Sequence, residues 1–264
     1  MSRILRQWFV LSLFVFFAAA GAQAKSVPAY FTAPYHSVGS VKSALNKSGL
    51  QVLATYHPAG KGYLNVILYT NASLKRAAAK PKRGFAAVQR VLVNSKAKTV
   101  LATNPEYWLR AFLQGQYKPG MEAPVTRALG KALGKLSPSK DALPSGKLAK
   151  YHFMFGMPYY DEMITLKKGK HFSVANRVFT LSLPNGSKVV GVRMPRSVES
   201  FISKIGEDKA LVLPYMVLLE KGEALMLNPK YYLAISYPRL SMGQFMKISD
   251  IPGKIEKALK NSIK

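Results

Sequence analysis

The feature that most constrains this chain is a partly hidden duplication. Asn104-Pro105-Glu106-Tyr107-Trp108-Leu109 returns as Asn228-Pro229-Lys230-Tyr231-Tyr232-Leu233, an offset of 124 residues. The same offset carries residues 65–70 onto 189–194 and Ala86-Ala87-Val88 onto Ala210-Leu211-Val212, apolar on apolar. Downstream, residues 125–133 resemble 251–259 with the offset now 126, a drift that two inserted residues explain. Two copies of one fold unit are therefore expected. A duplication constrains architecture and leaves chemistry open.

Local patterning gives each copy the same order of elements. In the first, 40–49 reads as a short helix with Val41 and Leu45 at i and i+4 and Gly49 as its stop. Strands follow at 50–56 and 63–70, then a helix over 73–79 that ends before Pro81. Residues 86–94 pair with 99–103 across a polar turn, and Asn104 caps a helix with Pro105 in its first turn. In the second, strands at 172–183 and 187–194 flank the hairpin signal Pro184-Asn185-Gly186. A helix over 197–205, strands at 210–219 and 224–227, the Asn228-Pro229 helix start and a closing helix at 254–263 complete it. The expected fold class is α+β: two pseudo-repeated units, each a small, mostly antiparallel sheet with packed helices. The division is 25–136 for the first unit, 137–171 for a linker and an aromatic, Met-rich bridge, and 172–264 for the second unit.

Pieces of both copies carry a family resemblance. Val41-Lys42-Ser43-Ala44-Leu45, Gly49-Leu50-Gln51-Val52 and Val100-Leu101-Ala102-Thr103-Asn104-Pro105 resemble the helix-to-strand opening and the strand-Asn-Pro-helix step of the DUF302-like family, a domain of unknown function. Leu213-Pro214-Tyr215-Met216-Val217-Leu218-Leu219-Glu220 resembles that family's Leu-Pro-led strand. The resemblance implies a compact α+β domain in two tandem copies and brings no established chemistry, so no catalytic residue is carried over. The second copy departs from the pattern, since no opening helix and Gly step precede Phe172.

Residues 1–24 read as a signal peptide: Arg3 and Arg6 form a positive start, 8–20 are apolar, and Ala22-Gln23-Ala24 is a small-x-small cleavage site. The expected product begins at Lys25 and is periplasmic or secreted. The competing reading is an uncleaved anchor, against which a 13-residue apolar run is short of the roughly 20 residues that cross a bilayer. The absence of cysteine leaves an exported fold to be held by its core, with no disulfide.

Charge is the second constraint. Without Arg3 and Arg6 the chain keeps 37 basic residues against 12 acidic ones, a formal charge of +25. The first acidic residue is Glu106, so 25–105 holds twelve cations and no carboxylate. The densest run, Lys75, Arg76, Lys80, Lys82 and Arg83, is the candidate anion-facing set. An anionic lipid, a polyanion or an acidic protein are the partners such a field attracts, and a solvated basic surface is the plain alternative. Nucleic acid is not expected, as no binding motif accompanies the charge.

The candidate ligand-binding residues are aromatic. Tyr107-Trp108, Tyr159-Tyr160 and Tyr231-Tyr232, with Tyr151 and His152, can bury one ring of a pair while its neighbour faces a cleft. The alternative is that these pairs pack the Asn-Pro helix onto its sheet. His152, Met154, Met157 and Met163 invite a Cu(I) site or, as irregularly spaced gap-fillers, core packing; Met242 and Met246 read as one buried helix stripe. No metal or cofactor is assigned. There is no Gly-x-Ser-x-Gly elbow and no cysteine nucleophile, and the adjacent acids Asp161-Glu162 and Glu207-Asp208 read as turn residues. The reading is an exported, basic, non-enzymatic binding protein for an anionic or amphiphilic ligand or surface. A periplasmic enzyme with its site at the repeat junction, or a structural protein, are the alternatives.

Overall fold

The structure, a computed structural model, describes residues 25–264; the signal-peptide expectation for 1–24 lies outside the described residues. The chain runs through β1 (Ser26–Pro28), β2 (Tyr30–Ala33), α1 (Val38–Lys47), β3 (Gln51–Tyr56), β4 (Leu64–Thr70), α2 (Ala72–Ala78), β5 (Gln89–Asn94), β6 (Thr99–Thr103), α3 (Pro105–Leu113), α4 (Ala123–Leu133) and β7 (Ser137–Pro138). It continues through β8 (Ala142–Pro144), α5 (Ser145–Leu148), β9 (Ile164–Lys168), β10 (Arg177–Ser182), β11 (Lys188–Val192), α6 (Arg196–Glu199), α7 (Phe201–Ile205), β12 (Tyr215–Glu220), β13 (Glu223–Met226), α8 (Pro229–Ser236), α9 (Met242–Met246) and α10 (Ile251–Ser262). The class is α+β, with three antiparallel sheets and packed helices.

One sheet has the order β3-β4-β5-β6-β2-β7 and another β10-β11-β12-β13-β9; β1 and β8 form a separate pair. In both larger sheets four strands follow in sequence, and the strand that precedes them in the chain (β2 or β9) pairs beside the last. Each run then enters an Asn-Pro helix. Asn104 accepts the Glu106 N–H and Asn228 the Lys230 N–H, both at 3.1 Å, satisfying one orphan donor of α3 and of α8. The segment 137–171 supplies β7 and β9 to the two sheets and β8 to β1, and α1 has no helical counterpart between β9 and β10.

The sheets are clamped by crossed 3₁₀ segments. Residues 84–87 lie against β11 and β12, while 207–212 lie against β4, β5 and β6. This second cover explains why β4 and β5 are buried along their whole lengths rather than on alternate residues. Gly84 is fixed by the approach, since a Cβ there would stand 2.4 Å from Leu218 Cδ1.

Several local expectations change. Residues 210–219 form no single strand: the 3₁₀ segment 207–212 comes first and β12 begins only after Pro214, which has no N–H for a ladder. β12 starts 126 residues after β5, whereas β11 and β13 start 124 after β4 and β6, so the offset is not gapless. The β12–β13 turn, Lys221-Gly222, is shorter than the 95–98 turn and restores the register. The helix expected over 197–205 is split into α6 and α7, and 172–176 is not strand, Val174 bridging to Ile263 instead. Met242 and Met246 are not a buried stripe. α9 spans under two turns and buries no residue; Phe245, half-buried, stacks on Phe153, and both methionines are exposed.

Candidate functional site

The junction between the two sheets is built on α3 and α8. Tyr107, in the first turn of α3, donates its hydroxyl proton to the Ile235 carbonyl in the last turn of α8 at 2.6 Å. Tyr231, in the first turn of α8, donates to the Ala111 carbonyl near the end of α3 at 3.4 Å. Donors and acceptors are each separated by the offset of 124, so the contact is reciprocal, the form of a two-fold interface. Each tyrosine satisfies a carbonyl that a helix end leaves unpaired. Trp108 packs edge-on against Phe112 and Tyr232 and donates Nε1–H to the Ala29 carbonyl at 3.0 Å. Tyr232 donates to the Val212 carbonyl at 2.9 Å.

The candidate aromatic residues therefore fall into two groups. Tyr107, Trp108, Tyr231 and Tyr232 are all buried, both members of each pair, and burial pushes the tyrosine hydroxyls above their ordinary range. Tyr160 joins them from the bridge: it meets Phe112 and Tyr231 and donates to the Lys82 carbonyl at 2.7 Å. Tyr151 donates to the Ala234 carbonyl at 3.2 Å, and burial pushes its pKa up to about 12. Tyr159 alone of the three pairs is exposed, its ring 4.5 Å from that of His152. Met154 is exposed too, which removes it from the core-packing reading.

The anion-facing set is also divided. Arg76, Lys80 and Lys82 are exposed and Lys75 is half-buried on α2. Arg83 instead binds Asp161 at 2.6 Å and lies over the Tyr160 ring. The Lys82 N–H donates to Glu220 at 2.8 Å.

A cleft of about 710 Å³ opens where the first sheet meets residues 207–208. Its floor follows one face of the sheet: Leu92 pairs across with Leu101, and Leu101 with Thr32. Tyr30 closes one end and is held by its bond to the Ser236 carbonyl at 2.6 Å. Asn94, Thr99 and Ser139 line the polar side with Lys140, Asp141, Glu207 and Asp208. The charged wall is locked. Lys61 Nζ binds Glu207 at 2.7 Å and the Tyr63 hydroxyl donates to the same oxygen at 2.5 Å. Those two bonds hold the Glu207 carboxyl below its ordinary range. Lys209 bridges Asp208 at 2.8 Å and Asp141 at 3.3 Å; burial opposes its charge, but the carboxylates outweigh burial and raise its pKa.

A second crossing holds the β3–β4 turn. Glu199 of α6, 1% exposed, accepts from the Tyr56 hydroxyl and from the Ala59 N–H at 2.6 Å. Burial raises its pKa, and the bonds from Tyr56 and Ala59 only partly offset that. The site is buried and fastens α6 to β3 and the β3–β4 turn.

Among the described residues no three His, Asp or Glu side chains converge as a metal-holding group. No histidine is among the residues that line the cleft, and its acids are engaged by lysines. Sequence reasoning noted Glu207-Asp208 only as a turn pair. It missed Tyr30, Lys61, Tyr63 and Asp141, whose meeting depends on the crossed 3₁₀ segments. Among the described residues no helix is long and apolar enough to cross a membrane. No family model, curated protein or solved structure matches the chain.

Proposed function

We propose that this chain is an exported, non-enzymatic binding protein whose junction cleft takes a small amphiphilic ligand. The carrying observation is the cleft's lining: a row of Leu92, Leu101 and Thr32 together with hydrogen-bonding and paired charged groups. Concave apolar sites of roughly 300–1,000 Å³ with a few fixed polar groups are the usual form of small-molecule sites. The wall carries both signs, so a neutral or zwitterionic polar end suits it better than a bare anion. The anionic partner belongs to the outer surface, where Arg76, Lys80 and Lys82 are exposed. Export rests on the composition of residues 1–24, and duplication of one DUF302-like unit on the shared strand order and the reciprocal tyrosines.

An uncharged naphthylamine fluorophore tests the cleft. Its emission should rise saturably on titration with the protein, and Leu101→Trp or Thr32→Trp, each of which fills the cleft, should reduce that rise at least several-fold. Saturable uptake that is indifferent to both substitutions would remove the cleft from the proposal.

A further inference from the structure

Two stretches distant in sequence meet on the outer surface of the bridge. Phe153 and Phe245 stack with ring centroids 6.0 Å apart and planes 14° from parallel, joining the 152–159 loop to α9. Around this stack the molecule exposes what a folded chain ordinarily buries: Met154, Tyr159, Met242 and Met246, and Phe155 at 100% exposure. Gly156, at φ +77°, turns the loop immediately after Phe155, so that ring stands at a tip with nothing of its own chain against it.

The surroundings are mainly cationic. Residues 147–160 and 237–249 contain no carboxylate. Lys147, Lys150, Arg239 and Lys247 are exposed, and Lys204 Nζ donates to the Lys247 carbonyl at 3.2 Å, adding a further charge beside Met246. Of the flanking acids, Asp161 is held by Arg83 at 2.6 Å and Asp250 by Lys254 at 2.5 Å, while Glu162 accepts the Tyr159 N–H at 2.7 Å.

We propose that this face docks on an anionic lipid bilayer, with Phe155 and Met154 entering the acyl boundary and Lys150 and Lys247 among the headgroups. Shape and charge select this occupant. A protruding ring needs a matching pocket in a protein partner, whereas a fluid bilayer receives it without one, and flexible thioethers suit such an interior. An apolar tip rimmed by lysines is the composition that binds interfaces by insertion and attraction together. The proposal uses a different face from the cleft and stands independently of what the cleft binds.

The test uses the full chain in a Trp8→Phe background, which leaves Trp108, a buried internal control, as the remaining indole. Phe155→Trp is added and vesicles of phosphatidylglycerol mixed with phosphatidylcholine are supplied. Emission from the introduced indole should shift to the blue and be quenched by brominated acyl chains, while the Trp108 signal of the background chain stays unquenched. Phe155→Ser with Met154→Ser should lower partition onto these vesicles about tenfold or more, and thermal unfolding should not change, because both side chains are exposed. Lys150→Gln and Lys247→Gln should each lower it about fivefold at low salt. The same number of changes among Lys75, Arg76 and Lys80 should do less. An introduced indole that stays unquenched on vesicle-bound chain overturns the proposal. So does equal partition onto pure phosphatidylcholine, or a lipid-free dimer that depends on Phe155 and seats a second copy there.

Discussion

The centre of the junction and its rim join the two larger sheets by different means. At the centre, α3 and α8 offer the same groups to each other: tyrosine to carbonyl in both directions, with indole and phenol rings between. At the rim the exchange is one-sided. Residues 56–83 supply hydroxyls and cations through Tyr56, Lys61, Tyr63 and Arg83, while residues 161–207 supply the carboxylates Asp161, Glu199 and Glu207. Within the stretch 25–105, which has no carboxylate of its own, Lys61 and Arg83 thus find their counter-charges across the junction, while Lys25 pairs with nearby Glu106 at 3.4 Å. A central contact can keep equivalence because neutral rings and carbonyls pair in either direction. A charged contact needs opposite signs, so its two sides must differ in composition.

The largest expected effect probes the centre. Tyr107→Ala and Tyr231→Ala each remove a buried ring from the same cluster and should each cost about 3–5 kcal/mol in urea unfolding. The two losses should agree within about 1 kcal/mol, a window set by how far each side can collapse. A several-fold disparity would break the equivalence of the two helices.

The rim is sharpened by comparing its two glutamates. Glu199→Ala leaves the Tyr56 hydroxyl and the Ala59 N–H without their acceptor in a buried place and should cost about 2–3 kcal/mol. Glu207 is a third exposed, so Glu207→Ala should cost about 1 kcal/mol or less. Their pH dependences should have opposite signs. Glu199 has its folded pKa raised above the ordinary 4.5, so the folded form keeps a proton that the unfolded chain has lost, and stability falls as pH rises from 4.5 through the folded value. Glu207 has its folded pKa lowered, so its contribution is present above 4.5 and is lost as pH falls through the folded value. Stability curves for Glu199→Gln should therefore approach the parent as pH rises, and those for Glu207→Gln should draw away from it. Parallel curves would mean that neither carboxylate titrates as its surroundings dictate.

What was legible in the sequence was local. Asn104-Pro105 and Asn228-Pro229 announce their helices because cap and first-turn chemistry are fixed within a few residues. β6 spans Thr99–Thr103, as its alternation and flanking turn require. β9 was not legible, since Ile164–Lys168 ends in two lysines and becomes a strand only by pairing with β13. The cleft was illegible for the same reason: Leu92, Leu101 and Thr32 are ordinary strand residues until Glu207 and Asp208 arrive from more than a hundred residues away. The aromatic pairs drew attention by recurring, and they recur because both sides of the α3–α8 contact need them. Met242 and Met246 gave the opposite error, for their spacing reads as a buried stripe and only the fold shows them outside.

The smallest expected effect is the finest test of the centre. Tyr107→Phe and Tyr231→Phe keep the rings and remove only the hydroxyls, so cavity terms drop out and what remains is one carbonyl left unpaired in a dry contact. The two carbonyls are not equally provided for. Ala111 also accepts from the Gln114 side chain, and its bond from Tyr231 is the longer at 3.4 Å, whereas Ile235 receives Tyr107 at 2.6 Å. Tyr107→Phe should therefore cost about 1–2 kcal/mol and Tyr231→Phe about 0.5 kcal/mol, measured as shifts in the urea midpoint at constant slope. Adding Gln114→Ala to Tyr231→Phe takes away the second donor and should bring its loss up to that of Tyr107→Phe. If the difference persists after that change, Gln114 is not what makes the two sides unequal, and the reciprocity of the tyrosines is one of geometry alone.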